Sequence, residues 1–443
     1  MNGKKITARE AAYRSLMLCE RDRKYSNLEI DSSIRRFGLE GADKGLYTAL
    51  VYGVIERRIT LDYFIGKLSS KPVDALDSEA LTLIRLGLYQ LIWMDRIPDS
   101  AAVNETVNLA KKNLPRAAAF INAVLRNFLR TVDRDFLPYP DKTNEDGYLS
   151  VRYSCAADVI AVLKRSVDNV RAVLEAFESH PDVTLRVNTL KTSRDEIMSR
   201  LASEGITAVP TAFSPYGIRL TDKSLPSTVS ELISNGYVYI QDEASQLASC
   251  VAAPAPGGVL IDCCACPGGK SFSSAILMEN RGRVYSFDLH KNKLSLVNSG
   301  AKRLAIDIIE TAEKNGSVFD GALEEAADSV LCDVPCSGLG VIAKKPEIRY
   351  KSADEIERLP KIQYSIIKNA SRYVKHGGVL CYSTCTLNKA ENVDVVERFI
   401  SENPEYAMEE FAFGELSSNN GMLTLLPHIH GTDGFFIAKF RRR

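Results

Sequence analysis

Gly258-Val259-Leu260-Ile261-Asp262-Cys263-Cys264-Ala265-Cys266-Pro267-Gly268-Gly269-Lys270-Ser271 decides the fold. An apolar run predicts a strand over Gly258–Cys263. Paired glycines then turn the chain, and the periodicity predicts a helix over Gly269–Glu279. Glycines let backbone approach a ligand closely, and a helix N-terminus offers free N–H groups. The same alternation continues to the end of the chain. Further strands are expected at Arg283–Leu289, Ile306–Thr311, Ser329–Val334, Gly378–Tyr382 and Phe435–Phe440, and helices at Lys291–Ala305, Ala353–Val374 and Ala390–Asn403. Strand–helix alternation on this scale means an α/β domain with a mostly parallel, doubly wound sheet over residues 241–443.

Ahead of this domain the pattern changes. Residues 151–240 alternate more loosely. ADVIAVLKRSV, VRAVLEAFES and SRDEIMSRLASEG are helical, and VTLRVNTL, GIRL and GYVYI are strands. This predicts a small α+β subdomain, which with the segment before it occupies 136–240. Residues 132–150, rich in Pro, Asp, Asn and Gly, read as a linker. Residues 6–131 repeat apolar residues at three-to-four spacing, broken near Pro72, Pro98 and Pro115. They predict an all-α bundle filling 1–135, in which Ala117-Ala118-Ala119 marks close helix packing.

The chain has 443 residues, too many for one core. Net charge is zero, but residues 1–135 carry 22 Lys+Arg against 17 Asp+Glu. That surplus is compatible with nucleic-acid contact and equally with a solvated helical surface. No apolar run is long enough to span a membrane, and MNGKKITAREAAYR has no signal-peptide core. A cytoplasmic location, no membrane partner and a monomer are expected. The ten cysteines are therefore expected to be reduced. Cys263 and Cys266 have Cys-x-x-Cys spacing, but no second such pair or histidine partner accompanies them, so no metal is expected.

Gly-Gly-Lys-Ser resembles part of a triphosphate loop, but that loop needs a glycine where Cys264 stands. Gly-x-Gly-x-x-Gly is absent. Twenty positions after Gly268 comes Asp288, at the end of the second strand and placed for ribose hydroxyls. It is equally suited to cap the following helix. With no phosphate cradle, an adenosine cofactor without phosphates is expected, and S-adenosyl-L-methionine fits. Lys270, taken alone, is an ordinary helix-surface lysine.

Two phrases repeat: Val330-Leu331-Cys332-Asp333-Val334-Pro335-Cys336 and Val379-Leu380-Cys381-Tyr382-Ser383-Thr384-Cys385. Each is a strand with a cysteine in the loop beyond its C-terminal end, where ligands of open α/β sheets sit. Cys332 and Cys381 fall inside the strands and read as core, as do Cys263 and Cys264. Cys336 and Cys385 do not. A thiolate adding to carbon 6 of cytosine turns carbon 5 into a nucleophile able to take a methyl group. An acid must protonate ring nitrogen 3, and Asp333 is placed for that. The loop Ser337-Gly338-Leu339-Gly340-Val341-Ile342-Ala343-Lys344-Lys345-Pro346 is expected to be mobile through its glycines and to meet phosphates through its lysines.

Together these residues resemble the NOL1/NOP2/Sun family of RNA cytosine-5 methyltransferases. CCACPGGKS resembles its cofactor loop, VLCDVPCSGLGV its Asp-x-Pro-Cys motif, and YSTCTLNKAEN its Thr-Cys motif. LRVNTLK and YVYIQDEASQLA resemble segments ahead of its catalytic core. The helical front resembles the NusB family of RNA-binding antitermination factors. The resemblance implies a Rossmann-like S-adenosylmethionine-dependent domain behind a NusB-like bundle. It implies 5-methylcytosine formation in 16S ribosomal RNA, at the family's cytosine 967, on naked RNA or an early small-subunit particle. Residue by residue, it implies Cys385 as nucleophile and Cys336 in release of the methylated base, through general base action. It implies Asp333 against the cytosine and the cofactor, Lys270 lining the site, and Asp288 on the ribose. Cys264, Ala265, Cys266, Pro267, Gly268, Gly269 and Lys270 would cradle the methionine end. Cys266 stands where the family has alanine, and Asn315 is nearest to the family's adenine-contacting aspartate. The alternatives are a transfer-RNA cytosine-5 methyltransferase, a non-catalytic RNA-binding assembly factor, and a DNA cytosine methyltransferase. In the last, the Pro-Cys cysteine alone would be expected to attack.

Overall fold

The computed structural model describes residues 6–22, 26–179, 182–221, 226–252 and 254–443. The start read for a signal peptide includes residues 1–5, outside this range. The chain forms two units, Met1–Val162 with Ile342–Ser352, and Leu163–Val341 with Ala353–Arg443.

The first unit is helical. Helices run over Ala8–Asp22, Ser26–Phe37, Gly41–Glu56, Arg58–Leu68, Ser78–Trp93, Asp99–Asn113 and Ala118–Thr131. The Ser26–Phe37 helix lies within the expected bundle, and Gly41–Glu56 and Arg58–Leu68 are separate helices divided at Arg57. Asp77 caps Ser78–Trp93, accepting from the N–H groups of Glu79 and Ala80. Close packing does not come from Ala117–Ala119, since Ala119 is exposed and that helix only begins at Ala118. It comes from Gly87, where a Cβ would stand 2.7 Å from Leu125, and from Gly53, which lies against the Tyr89 ring. The stretch read as a linker also needs correction. Glu145–Tyr153 is a helix capped by Asn144, with Leu149, Val151 and Tyr153 buried.

Ile342–Ser352, which the sequence places in the catalytic domain, belongs to this helical unit. Arg349, 1% exposed, donates from Nη1 to Tyr153 O at 3.0 Å and lies 3.5 Å from the Glu56 carboxylate. Tyr350 bonds Ser154 at 3.0 Å, and the Arg58 guanidinium stacks on its ring.

The second unit holds two sheets. The small one contains β1 (Val183–Val187), β2 (Ala208–Pro210), β3 (Gly217–Leu220) and β4 (Val238–Ile240). Its order is β2-β3-β1-β4 and every pairing is antiparallel. The helices Arg194–Ser203 and Ser227–Ser234 supply Ile197, Leu201, Val229 and Leu232 to its core. β2 and the second helix are too short to show a period in the sequence.

The large sheet contains β5 (Val259–Asp262), β6 (Arg283–Asp288), β7 (Ile309–Glu313), β8 (Ala327–Asp333), β9 (Val374–Thr384) and β10 (Tyr406–Met408). After a two-stranded hairpin, β11 (Ala412–Phe413) and β12 (Leu416–Ser417), come β13 (Met422–Leu425) and β14 (Phe435–Arg442). The order β10-β14-β9-β8-β5-β6-β7 is parallel from β9 to β7 and antiparallel at β14, β10 and β13. The expected mostly parallel, Rossmann-like sheet is therefore present. β7 starts three residues later than read, because Ala305 ends the preceding helix in a left-handed conformation and Ile306 closes its cap. The helix read over Ala353–Val374 is two, Ala353–Glu357 and Leu359–Ser371, divided beside Pro360.

Helices cover both faces, so successive strand residues feed different cores. Leu260, Leu331, Cys381 and Ile437 join one core. Ile261, Val330, Cys332, Leu380 and Phe436 join the other. The order reverses at β5, which pairs with β6 on one side and β8 on the other. That reversal opens the crevice at the strands' carboxyl ends.

Candidate active site

The loop after β5 and the helix Gly269–Leu277 form the first wall. Gly268 has φ +112°, a conformation suited to glycine, and a Cβ there would meet the Phe272 ring at 2.4 Å. The loop is fixed from within by Ala265 N donating to Phe287 O (2.7 Å) and Gly268 N to Ala265 O (2.7 Å). Asp262, 1% exposed, accepts from Ser271 Oγ at 2.7 Å. Ser286 bonds Ser271 in turn at 2.8 Å. Burial, with Asp333 adding its charge, pushes the Asp262 carboxyl up to about 7.

Asp288 closes β6 beside this loop. Its Oδ2 accepts from Cys266 N at 3.3 Å and its Oδ1 from His290 N at 2.9 Å. The following helix, Lys291–Leu304, has His290 at its N-cap, so Asp288 is not the cap. Each carboxylate oxygen keeps a lone pair for a hydroxyl. Burial and the charge of Asp288 push the Cys266 thiol up to about 12. Cys264–Lys270 and Asp288 thus line one rim, with backbone N–H groups, a carboxylate suited to a diol and, among the described residues, Lys270 as its one cation. That donor set suits a nucleoside carrying an amino acid rather than a polyphosphate. Asn315, exposed, follows β7 and accepts from Ser317 N at 3.0 Å. Its neighbour Lys314 donates N–H to Asp288 O at 3.0 Å.

β8 and β9 supply the second wall. Their parallel register sets Asp333 opposite Ser383, and Ser383 Oγ donates to Asp333 Oδ1 at 2.9 Å. Lys270 is no surface lysine. It is 9% exposed, with Nζ 2.7 Å from Asp333 Oδ2 and 5.1 Å from the centre of the Phe435 ring. Burial alone would lower its ammonium, but Asp333, with Cys385 beyond it, outweighs burial and holds it above its ordinary value.

The two loop cysteines meet. Cys336 Sγ lies 3.3 Å from Cys385 Sγ, and both residues are half-buried. The hydrogen bond with Cys385, followed by burial, pushes the Cys336 thiol well above its ordinary value. Cys263, Cys332 and Cys381 are buried in the cores, as read, while Cys264 is half-buried.

The loop beyond Cys336 is packed, not mobile. Ser337 to Ile342 are buried, Gly340 N donates to Cys385 O at 3.0 Å, and Gly434 N donates to Gly340 O at 2.9 Å. Its glycines serve close backbone approach. Lys344 is half-buried, Lys345 is exposed, and both belong to the helical unit. Sequence reasoning placed Asp262 only within the cofactor turn and missed Ser383, Phe435 and Glu391. Asp262, Ser383 and Glu391 lie inside the quoted motifs, but only the fold shows what they touch. Among the described residues no cluster of His, Cys, Asp or Glu could hold a metal ion, and no helix is long and apolar enough to cross a membrane.

Comparison with known proteins matches all three parts of the chain. The family model "16S rRNA methyltransferase RsmB/F" matches residues 249–441, the NusB family model matches 6–130, and an RsmF/B-like methyltransferase ferredoxin-like domain matches 162–225. A probable ribosomal RNA small subunit methyltransferase B of Bacillus subtilis is 36% identical over 99% of this chain and 100% of its own. Its counterpart in Synechocystis is 34% identical over 99% and 100%. Among solved structures, PH0851 superposes with a TM-score of 0.84 at 25% identity, over 99% of this chain and 100% of its own. A methyltransferase homologue from Pyrococcus horikoshii gives 0.58 at 28% identity, over 67% and 98%. With a helical front, a small α+β sheet and a Rossmann-like sheet each matched in order, the chain belongs to the ribosomal RNA small subunit methyltransferase B family, within the RsmB/F methyltransferases.

Proposed function

We propose that this protein forms 5-methylcytosine in 16S ribosomal RNA, at the site the family numbers 967, through a covalent bond between Cys385 and the base. The observation that carries the reading is the pair of thiols 3.3 Å apart at the ends of neighbouring strands, beside the Lys270–Asp333 ion pair. A single nucleophile would need one cysteine. Two in contact suit a reaction in which one sulfur attacks and the other helps it leave.

In this mechanism the Cys385 thiolate forms a bond to carbon 6, and the carbon 5–carbon 6 electron pair moves towards carbon 5. Lys270 supports the negative sulfur. The proton gained by ring nitrogen 3 passes through the Asp333–Lys270 pair, and Asp333 holds the base in plane. S-adenosyl-L-methionine, when bound, supplies the methyl group that carbon 5 takes. Asp288 would hold its ribose, the Cys264–Lys270 turn its methionine end, and Asn315 its adenine. Once Cys385 is a thioether it carries no negative charge. Cys336, whose sulfur stands 3.3 Å from that of Cys385, then acts as the base after giving its own proton to solvent. It takes the proton from carbon 5, the carbon–hydrogen pair re-forms the carbon 5–carbon 6 double bond, and the carbon 6–sulfur bond breaks with its electron pair returning to Cys385, while ring nitrogen 3 returns its proton to the Asp333–Lys270 pair. The NusB-like front, with its surplus of five positive charges over residues 1–135, is assigned to binding the ribosomal RNA.

The test uses a 16S transcript and denaturing gels. Cys385→Ala should abolish both methylation and the protein–RNA adduct, whereas Cys336→Ala should retain the adduct and accumulate it. Adduct formed by Cys385→Ala and lost in Cys336→Ala would reverse the two roles.

A further inference from the structure

Glu391 is fully buried, and its carboxylate accepts four hydrogen bonds. Ser337 donates its backbone N–H at 2.8 Å and its hydroxyl at 2.5 Å. Asn388 Nδ2 donates at 2.9 Å and Gln363 Nε2 at 2.7 Å. All four donors are neutral. A buried carboxylate served only by neutral donors is costly to keep, because burial disfavours the charged form. Four hydrogen bonds converging on one carboxylate make a stiff joint.

What this joint connects is specific. Ser337 follows Cys336, and its hydroxyl also contacts the Thr386 hydroxyl at 2.7 Å. Thr386 follows Cys385. The Gln363 amide reaches from the carboxylate to Pro335 O at 3.0 Å, on the other side of Cys336. Tyr382, in β9, donates to Glu391 O at 2.6 Å. One side chain thereby ties the residues flanking Cys336 to the residue after Cys385.

We propose that Glu391 is a positioning residue: its carboxylate clamps the Cys336 and Cys385 loops in the register that lets Cys336 serve the release step. This rests on the covalent reading above. Glu391 itself touches neither sulfur. Glu391→Gln keeps the size but turns an amide donor either towards the Ser337 N–H and Gln363 or towards the Ser337 hydroxyl and Asn388, so one side of the clamp opens. Attack by Cys385, supported by Lys270 and Asp333, persists. Release, which needs the second sulfur in place, slows.

The experiment compares the ratio of trapped protein–RNA adduct to turnover on a 16S transcript, with S-adenosylhomocysteine affinity as the check on the fold. Glu391→Gln should lower kcat by about 10- to 100-fold, as expected for a misplacement near 1 Å. The adduct-to-turnover ratio should rise, with KM for RNA and S-adenosylhomocysteine affinity within about threefold of the parent. Ser337→Ala, which removes the hydroxyl shared by Glu391 and Thr386, should raise the ratio less. A purely structural role would lower adduct and turnover in parallel. An unchanged ratio in both variants overturns the proposal, and if Glu391→Gln does not fold, an unchanged ratio in Ser337→Ala overturns it alone. Cys385→Ala separates the two layers. Adduct surviving in that variant would sink the covalent reading, whereas its loss together with unchanged ratios in the other two would sink only the clamp.

Discussion

Gly340 offers the sharpest test of how tightly the cysteine loops are set. A Cβ built there would stand 1.8 Å from Gly434 O and 2.5 Å from Gly434 C, backbone against backbone, with no flexible side chain to yield. Ordinary carbon–oxygen contact begins near about 3.3 Å, so Gly340→Ala forces the two segments about 1.5 Å apart. Gly340 has no positive φ, so alanine is acceptable to its backbone and the collision is the only cause. Gly340 N holds Cys385 O, and Gly434 N holds Gly340 O, so the movement falls on the loop that carries Cys385. Overpacking of this kind costs about 1–3 kcal/mol of stability. A misplacement of about 1 Å at a reacting group costs about 100-fold in rate. Gly340→Ala is therefore expected to unfold a few degrees lower, to bind S-adenosylhomocysteine normally, and to lose about 100-fold in methyl transfer to a 16S transcript. Turnover within threefold of the parent, at unchanged melting temperature, would refute the claim that this contact sets the position of Cys385.

Two other outcomes follow from buried charges. Asp262 titrates near 7 in the folded protein, against about 4 when unfolded. The folded state therefore holds the extra proton between those values, and this group's contribution to stability falls as pH rises from about 4 to 7, then levels off. Denaturant unfolding of Asp262→Asn should lack that component, and identical pH slopes for variant and parent would contradict it. Arg349→Ala removes a guanidinium that is 1% exposed and leaves Glu56 partly buried without its partner. A loss of about 3 kcal/mol is expected in chemical denaturation, and a loss under about 0.5 kcal/mol would show that the Ile342–Ser352 segment adds little to the helical unit.

Much of this protein was legible in its residue pattern. Periods of two and of three to four residues are properties of local geometry, so the helical front, the alternating catalytic half and the loop positions of Cys336 and Cys385 could be read from pattern alone. Asp288 could be placed at a strand end because strands have a fixed rise and the glycine turn starts the count. Tertiary structure decided what the pattern could not carry. Lys270 taken alone read as a surface residue, and only the motif around it pointed to the site, because one side chain has no period. Only the pairing of β8 beside β5 brings Asp333 to it. Gly338 and Gly340 read as flexibility because sequence shows the missing side chain and not the backbone lying against it. Glu391 gave no signal of its own, since a carboxylate becomes a clamp only when folding removes water and supplies four donors. The 3.3 Å contact between the two sulfurs has the same origin. Each cysteine was legible from its own strand, but the distance between them depends on parallel register and on the packing around both loops, which arise from contacts between residues far apart in the chain.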